Sequence, residues 1–336
     1  MSNQVSYRSR ILGTGHYLPT QVITNEELCK RVDTSHEWIV ERTGIHERRI
    51  ATPGQDETPS GMAYRAAKEA LKNANLEPSD IDFILFSVTV PDMLFPNTAS
   101  VLQEKLGIAG QCACLDINAA CTGWIYGYVL ADSLIRSNSY KKILLVGCEM
   151  TSTFNNWKDR STCILFGDGC GAVILGRSED GESSQLLSQV LSSDGSKKEH
   201  LILRAGGSAN PVTKEIIDRE EQYTTMNGQE VFKAAVKTLT SQAEYVLSEA
   251  HLTKENIKFY IPHQANLRII EAVAHRLQMP MEKVIVNVQK YANTSSASIP
   301  IALHETIQQG KIQRGDKLLL GAFGAGLTSG SVCIEY

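Results

Sequence analysis

Apolar positions recur along this chain with two different periods. In Gly61–Asn75, GMAYRAAKEALKNAN, they return every three or four residues, the spacing of a helix with one buried face. Pro78-Ser79 marks a turn, and the apolar run Ile81–Val90 then has the length and composition of a buried strand. The alternation continues with a helical stretch near Thr98–Leu106, a strand near Cys112–Ile117, a buried helix over Gly127–Arg136 and a buried strand over Lys142–Val146. Strands and helices in alternation predict an α/β fold with largely buried sheets. Ser192–His200 and the polar stretch near Ala209–Thr225 read as loops.

The pattern also repeats. AKEALKNANLEPSDIDFIL from Ala67 aligns with AEYVLSEAHLTKENIKFYI from Ala243, pairing Leu71 with Leu247, Leu76 with Leu252, Ile81 with Ile257 and Phe83 with Phe259 at one offset of 176. LGI at Leu106 resembles LQM at Leu277, and KKILLVGC at Lys141 resembles DKLLLGAF at Asp316, at offsets of 171–175. So long a period suits no solenoid. It predicts two similar halves, residues 1–180 and 181–336, packed as one body.

Composition narrows the function. With 33 basic and 37 acidic residues in 336, the chain lacks the cationic excess of a nucleic-acid binder. No apolar run approaches the roughly 18 residues of a membrane span. MSNQVSYRSR leads into ILGTG without an export-signal core, so a cytoplasmic setting with its eight cysteines reduced is expected. Cys112 and Cys114 form C-x-C rather than a zinc knuckle, and the histidines are scattered. Neither a metal nor an organic cofactor is expected.

Three segments could carry chemistry. In Asp116-Ile-Asn-Ala-Ala-Cys121-Thr-Gly-Trp124 a strand ends in small residues and a helix starts near Cys121. A thiol at a helix N-terminus should have a lowered pKa and act as a nucleophile; the alternative is a small buried cysteine. His263, in PHQAN, follows the strand Ile257–Ile261 and opens the helix Leu267–Leu277, where open α/β sheets place ligands; it could equally be a packing histidine. Asn293, in YANTSSASIP, follows an expected strand Val284–Val288. At an offset of 172 it is expected to hold the place that Cys121 holds in the first half, or to cap a helix. The Gly-rich turns Phe166–Gly171 and Gly321–Gly326 lack phosphate-loop spacing. The second joins two strands, and its backbone N–H groups could hold an oxyanion.

Together AACTGW, PHQAN, YANTSSASIP, FGDG and GAFGAG, in this order, resemble β-ketoacyl-[acyl carrier protein] synthase III, a thiolase-like condensing enzyme family, over nearly the whole chain. The resemblance implies a five-layered αβαβα fold, a homodimer and a Cys121–His263–Asn293 triad. It implies that backbone N–H groups of Cys121 and Ala325 form the oxyanion hole, with Ala325 standing where Gly is usual. Trp38, Arg42 and Arg160 match coenzyme A contacts, Phe95 and Phe323 the acyl pocket, with Phe95 lent by a partner subunit. Lys233, Arg268 and Arg276 match docking positions for acyl carrier protein, although His275 stands where Lys is common. Asn118 and Thr122 stand where smaller apolar residues are common.

The implied reaction starts fatty acid synthesis. A short acyl-coenzyme A, acetyl-coenzyme A first among them, acylates Cys121, and malonyl-acyl carrier protein is decarboxylated and condensed with the acyl group. No metal or cofactor takes part. Three other readings stand beside it: a condensing enzyme or acyltransferase of specialised, polyketide-like metabolism with another primer, a non-catalytic carrier-binding subunit, and a nucleotide-binding protein read from the Gly turns. Asn293 counts against an acyltransferase that does not decarboxylate, Cys121 against a non-catalytic subunit and the missing phosphate-loop spacing against a nucleotide binder, while a fatty acid or a specialised product stays open at this point.

Overall fold

The computed structural model describes residues 7–179 and 181–336. MSNQVS at the start, and Asp180 at the end of the expected first half, lie outside the described residues. Strands β1 (Ser9–Tyr17), β2 (Phe83–Ser87), β3 (Ala113–Ile117), β4 (Lys142–Glu149) and β5 (Gly169–Arg177) build one sheet in the spatial order β1-β5-β4-β2-β3. Strands β6 (Gln185–Ser193), β7 (Phe259–Pro262), β8 (Lys317–Gly324) and β9 (Thr328–Glu335) build another in the order β6-β9-β8-β7. The pairings match one for one: β1–β5 and β6–β9 antiparallel, β5–β4 and β9–β8 antiparallel, β4–β2 and β8–β7 parallel. The parallel partner β3 has its counterpart in a single parallel bridge, Tyr260 to Val284.

The longer helices are α1 (His36–Thr43), α2 (Pro59–Ala74), α3 (Thr98–Lys105), α4 (Gly123–Arg136), α5 (Gly228–Glu249), α6 (Leu267–Arg276) and α7 (Ser298–Gln308). Three apolar cores stack them into five layers. α2 and α3 cover the outer face of the first sheet through Met62, Ala66, Ala70 and Leu102 against Ile84, Phe86 and Val146. α4 and α7 lie between the sheets, with Trp124, Ile125, Tyr128, Ile299 and Leu303 packed on Leu145, Val173, Leu320 and Val332. α5 and α6 cover the second sheet through Leu239, Val246, Ile270 and Val273 against Tyr260 and Leu319. This is the αβαβα sandwich that the resemblance implied.

Local chemistry sets the element ends. Thr58 caps α2 by accepting the Gly61 amide, Pro59 opens the helix with φ already fixed, and Asn75 closes it in the left-handed region. Glycine is required at Gly15 on β1, since a Cβ there would lie 2.2 Å from the Ala66 carbonyl oxygen of α2. The repeat extends to these details. Left-handed residues recur at Asn75 and His251, Gly107 and Gln278, and Ala120 and Ser295.

The structure corrects the reading of three segments. Ser192–His200 holds the end of β6 and a 3-10 turn, and Lys214–Asp218 and Thr224–Met226 are a short helix and strand within the expected loop. Val284–Val288 is not a strand beyond its one bridge. The Gln264 side chain takes the groups a ladder would use: Nε2 donates to the Ile285 carbonyl at 3.0 Å, and Oε1 accepts the amides of Asn287 and Val288. Among the described residues no helix is long and apolar enough to cross a membrane.

Candidate active site

Two inner-layer turns, one from each half, face each other between the sheets. Ala120–Thr122 is a 3-10 turn leading into α4, and Ser295–Ala297 is its counterpart leading into α7. The counterpart of Cys121 is therefore Ser296, at an offset of 175, and not Asn293. Thr122 pins the first turn to β9 through the Thr328 hydroxyl at 2.7 Å, while Asn118 is exposed.

Cys121 lies where two cavities meet. One, of ≈ 140 Å³, is also lined by His263, Asn293, Phe323 and Gly324. The other, of ≈ 270 Å³, is lined by Ala120, Phe154, Leu203, Ser295 and Ala325. Phe323, expected in an acyl pocket, thus stands beside His263 and Asn293 rather than in the second cavity. Gly324 is the residue pressed on the Cys121 turn: a Cβ there would be 2.8 Å from Cys121 Cβ and 3.0 Å from its nitrogen.

The thiol differs from the expectation of a lowered pKa. Cys121 sits in the tight turn before α4 rather than in its first turn. Burial pushes the thiol up to about 11, with the nearby Glu149 charge adding to it and hydrogen bonds from Ser295 and the backbone opposing. Burial thus favours the thiol over the thiolate. Ser295 Oγ lies 3.4 Å from Sγ.

His263 follows β7, with its amide held by the Gly321 carbonyl of β8. Its Nδ1 lies 2.7 Å from Ser298 Oγ, which also accepts the Gln264 amide at 3.2 Å. Ser298 Oγ, with one hydrogen and two lone pairs, can donate to Nδ1, and in that tautomer Nε2 carries the ring hydrogen. Nε2 has no protein partner in its buried position, and burial holds the ring neutral by lowering its pKa to about 4. Asn293 is fixed at both ends: its amide donates to Leu165, its carbonyl accepts from Gly167, and its Oδ1 accepts the Ser295 amide at 2.8 Å. The side-chain NH₂ is left as the free end.

The first cavity shares Leu165, Met226, Gly228, Phe232 and Asn266 with a surface groove also lined by Trp38, Arg42, Arg160, Lys233 and Arg268. Arg42 and Arg160 lie 4.6 and 5.1 Å from the Trp38 ring centre. Lys233 pairs with Glu230 at 2.9 Å. Arg276, in the last turn of α6, is exposed but does not line the groove. Phe95 lines neither cavity and is 85% exposed, beside the exposed Met93 and Leu94; two residues on, Asn97 Nδ2 donates to the Cys114 carbonyl of edge strand β3.

Sequence reasoning missed Glu149, Ser295, Ser298 and Gln264. Glu149 had a signal: it is a carboxylate that follows the uncharged run Ile143–Cys148 at the end of its strand. Among the described residues, one cluster has metal-ligand composition, His16, Glu69 and His304. Glu69 Oε2 accepts the His16 amide at 2.8 Å and lies 3.2 Å from His16 Nδ1 and 3.4 Å from His304 Nε2. A cation would have to stand where that oxygen already holds all three groups. All eight cysteines are unpaired.

The comparisons with known proteins agree on one family. 3-Oxoacyl-[acyl-carrier-protein (ACP)] synthase III matches residues 115–195, and its C-terminal counterpart matches residues 247–336. Beta-ketoacyl-[acyl-carrier-protein] synthase III of Caldanaerobacter subterraneus subsp. tengcongensis is 48% identical over 326 residues, 97% of each chain. That of Aquifex aeolicus is 48% identical over 328 residues, 98% of this chain and 99% of the other. The crystal structure of 3-oxoacyl-[acyl-carrier-protein] synthase III from Aquifex aeolicus matches with a TM-score of 0.90 and 47% identity, over 98% of this chain and 100% of that one.

Proposed function

The chain belongs to the 3-oxoacyl-[acyl-carrier-protein] synthase III family, the condensing acyltransferases that start fatty acid synthesis, and from that premise we propose how its two cavities divide the reaction. The reading is supported above all by the convergence of Cys121, His263 and Asn293 on one cavity that continues into a basic groove.

In the first half-reaction the Cys121 sulfur attacks the carbonyl of a short acyl-coenzyme A, and the coenzyme A thiolate leaves. Backbone N–H groups of Cys121 and Ala325 hold the tetrahedral oxyanion; removing one such donor typically costs about 3–4 kcal/mol. The acyl chain lies in the cavity beside Ala325 and Ser295. A partner subunit closes it with Phe95, which accounts for so exposed an aromatic beside the exposed Met93 and Leu94. A homodimer is part of this proposal, as is a cytoplasmic setting. In the second half-reaction malonyl-acyl carrier protein loses carbon dioxide. His263 Nε2–H and the Asn293 NH₂ donate to the enolate oxygen, and the carbanion attacks the acyl-cysteine to release the 3-ketoacyl thioester. The leaving carboxylate supplies the electron pair, so neither metal nor cofactor is assigned a role.

Trp38, Arg42 and Arg160 receive the nucleotide end of coenzyme A, and Lys233, Arg268 and Arg276 the acidic carrier protein. A flat ring between Trp38 and Arg160 needs two stacking distances of about 3.5 Å each. At 5.1 Å that slot is shut, and Arg160 must swing outward to admit the adenine.

The test separates the half-reactions. With acetyl-coenzyme A, intact-mass measurement should find one acetyl group on the Cys121 peptide, in the unmodified chain and in His263→Ala and Asn293→Ala. Both variants should lose malonyl-acyl carrier protein decarboxylation by about 10²–10³-fold. Normal decarboxylation in either variant would remove the enolate-binding role.

A further inference from the structure

The chemistry proposed above leaves one proton unassigned. Cys121 enters the cycle as a thiol and must lose its proton as sulfur becomes a thioester. On that reading His263 donates from Nε2 to the enolate, so the same atom is already protonated and not free to take it. Asn293 has no basic atom. Glu149 closes β4, is fully buried, and takes no part in either half-reaction.

Ser295 stands between it and the nucleophile. Ser295 Oγ lies 3.4 Å from Cys121 Sγ and 3.4 Å from Glu149 Oε1. A hydroxyl has one hydrogen and two lone pairs, so it can accept from the thiol while donating to the carboxylate. The O···O distance is long for a resting hydrogen bond, as catalytic contacts in unliganded sites often are. Glu149 is held in place by the Thr89 amide at 3.2 Å, the Thr89 hydroxyl at 3.0 Å and the Ser296 hydroxyl at 3.3 Å. All these partners are uncharged, so no cation locks the carboxylate in its ionised form.

Resting on the reading of Cys121 as the nucleophile, we propose that Ser295 and Glu149 relay the thiol proton. As Sγ attacks the thioester carbonyl, its proton passes to Ser295 Oγ and the Ser295 hydrogen passes to Glu149. The carbon–sulfur bond to coenzyme A breaks, and the departing thiolate takes a proton back along the same path, restoring the carboxylate. Condensation later frees Cys121 as a thiolate, and a solvent proton returns it to the thiol. Burial supports this role by pushing Glu149 up to about 7, a proton affinity suited to holding and returning a proton near neutrality. The ionisable groups that feel its charge are Cys121 across the turn and Cys148 beside it on β4. Ser295, within reach of the reacting sulfur, is thus a catalytic residue on this proposal, and Glu149 acts through it.

Glu149→Gln and Ser295→Ala in the full chain test the relay. Single-turnover acetylation by acetyl-coenzyme A is followed from pH 6 to 9. Both variants should acetylate about 10²-fold more slowly at pH 7. The loss should fall on the acetylation rate far more than on KM for acetyl-coenzyme A, and it should shrink as pH rises and hydroxide replaces the relay. Acetylation at the unmodified rate with an unchanged pH profile overturns the proposal. So does acetylation of Glu149→Gln that is faster than that of the unmodified chain at pH 7, which would make Glu149 only a repulsive charge on sulfur. If Glu149→Gln fails to fold by circular dichroism, Ser295→Ala decides alone, since it cuts the path and leaves the carboxylate in place. A failure of the nucleophile reading itself shows separately, as absence of acetyl-Cys121 in the unmodified chain.

Discussion

Ala120–Thr122 and Ser295–Ala297 are the same short turn built twice. The first residue of each is left-handed, with φ of 46° at Ala120 and 51° at Ser295, and each runs into an inner-layer helix. Each also rests on a strand of the other half. Gly324 of β8 touches Cys121, and Gly147 of β4 touches Ser296, where a Cβ would lie 2.5 Å from the carbonyl oxygen. The turns differ in what surrounds them. Cys121 borders both cavities, whereas Ser296 is 1% exposed and its hydroxyl meets the Ser87 carbonyl and Glu149. Duplication supplies a precise backbone twice; the central residue opens onto the cavities in the first copy and is packed away in the second.

Moving the thiol between the copies is the strongest challenge to that view. Cys121→Ser combined with Ser296→Cys should form no acyl-enzyme detectable by intact mass, because the sulfur would face packed side chains. Acetylation at position 296 would show that the turn alone makes a nucleophile. The glycines sharpen the contrast at smaller amplitude. Gly147→Ala should cost about 1–3 kcal/mol of stability by overpacking against a backbone carbonyl, read as a lowered Tm. Gly324→Ala should slow acetylation as well, because its Cβ displaces Cys121; equal acetylation rates in the two variants would mean that the turns are not differently tuned.

The smallest effect concerns the strand ends, His263 after β7 and Val88 after β2. With its pKa lowered to about 4, the His263 ring stays neutral in the fold down to that pH. The sign follows from linkage. The neutral ring's contribution to stability is complete above the ordinary 6.5 and is lost as pH falls through 4. Malonyl decarboxylation should therefore show no acid limb from His263 between pH 5 and 8. A limb near 6.5 in the unmodified chain, absent from His263→Ala, would mean that the ring titrates as if exposed.

Much of this arrangement was legible because it rests on periodicity. The apolar spacing of α2 and β2 recurs in α5 and β7, down to left-handed residues at equal offset, Asn75 and His251. What could not be read depends on side chains that replace backbone partners or change an electrostatic sign. Val284–Val288 has strand composition, but Gln264 intercepts its amides and carbonyls. A helix start suggests an acidic thiol, but packing around Cys121 outweighs the dipole. Asn293 matched Cys121 by its place in a small-residue run, while the turn geometry falls three residues later, at Ser296.

The groove that joins Trp38, Arg42 and Arg160 to Lys233 and Arg268 has a consequence for traffic. On the reading proposed here, both thioester donors enter by the same mouth, so neither can wait inside while the other reacts. Free coenzyme A must clear the passage before the carrier's arm arrives, and acyl-coenzyme A in excess holds it against the carrier. Flux then follows the ratio of the two thioesters rather than the amount of either, and a surplus of primer slows the cycle that it starts.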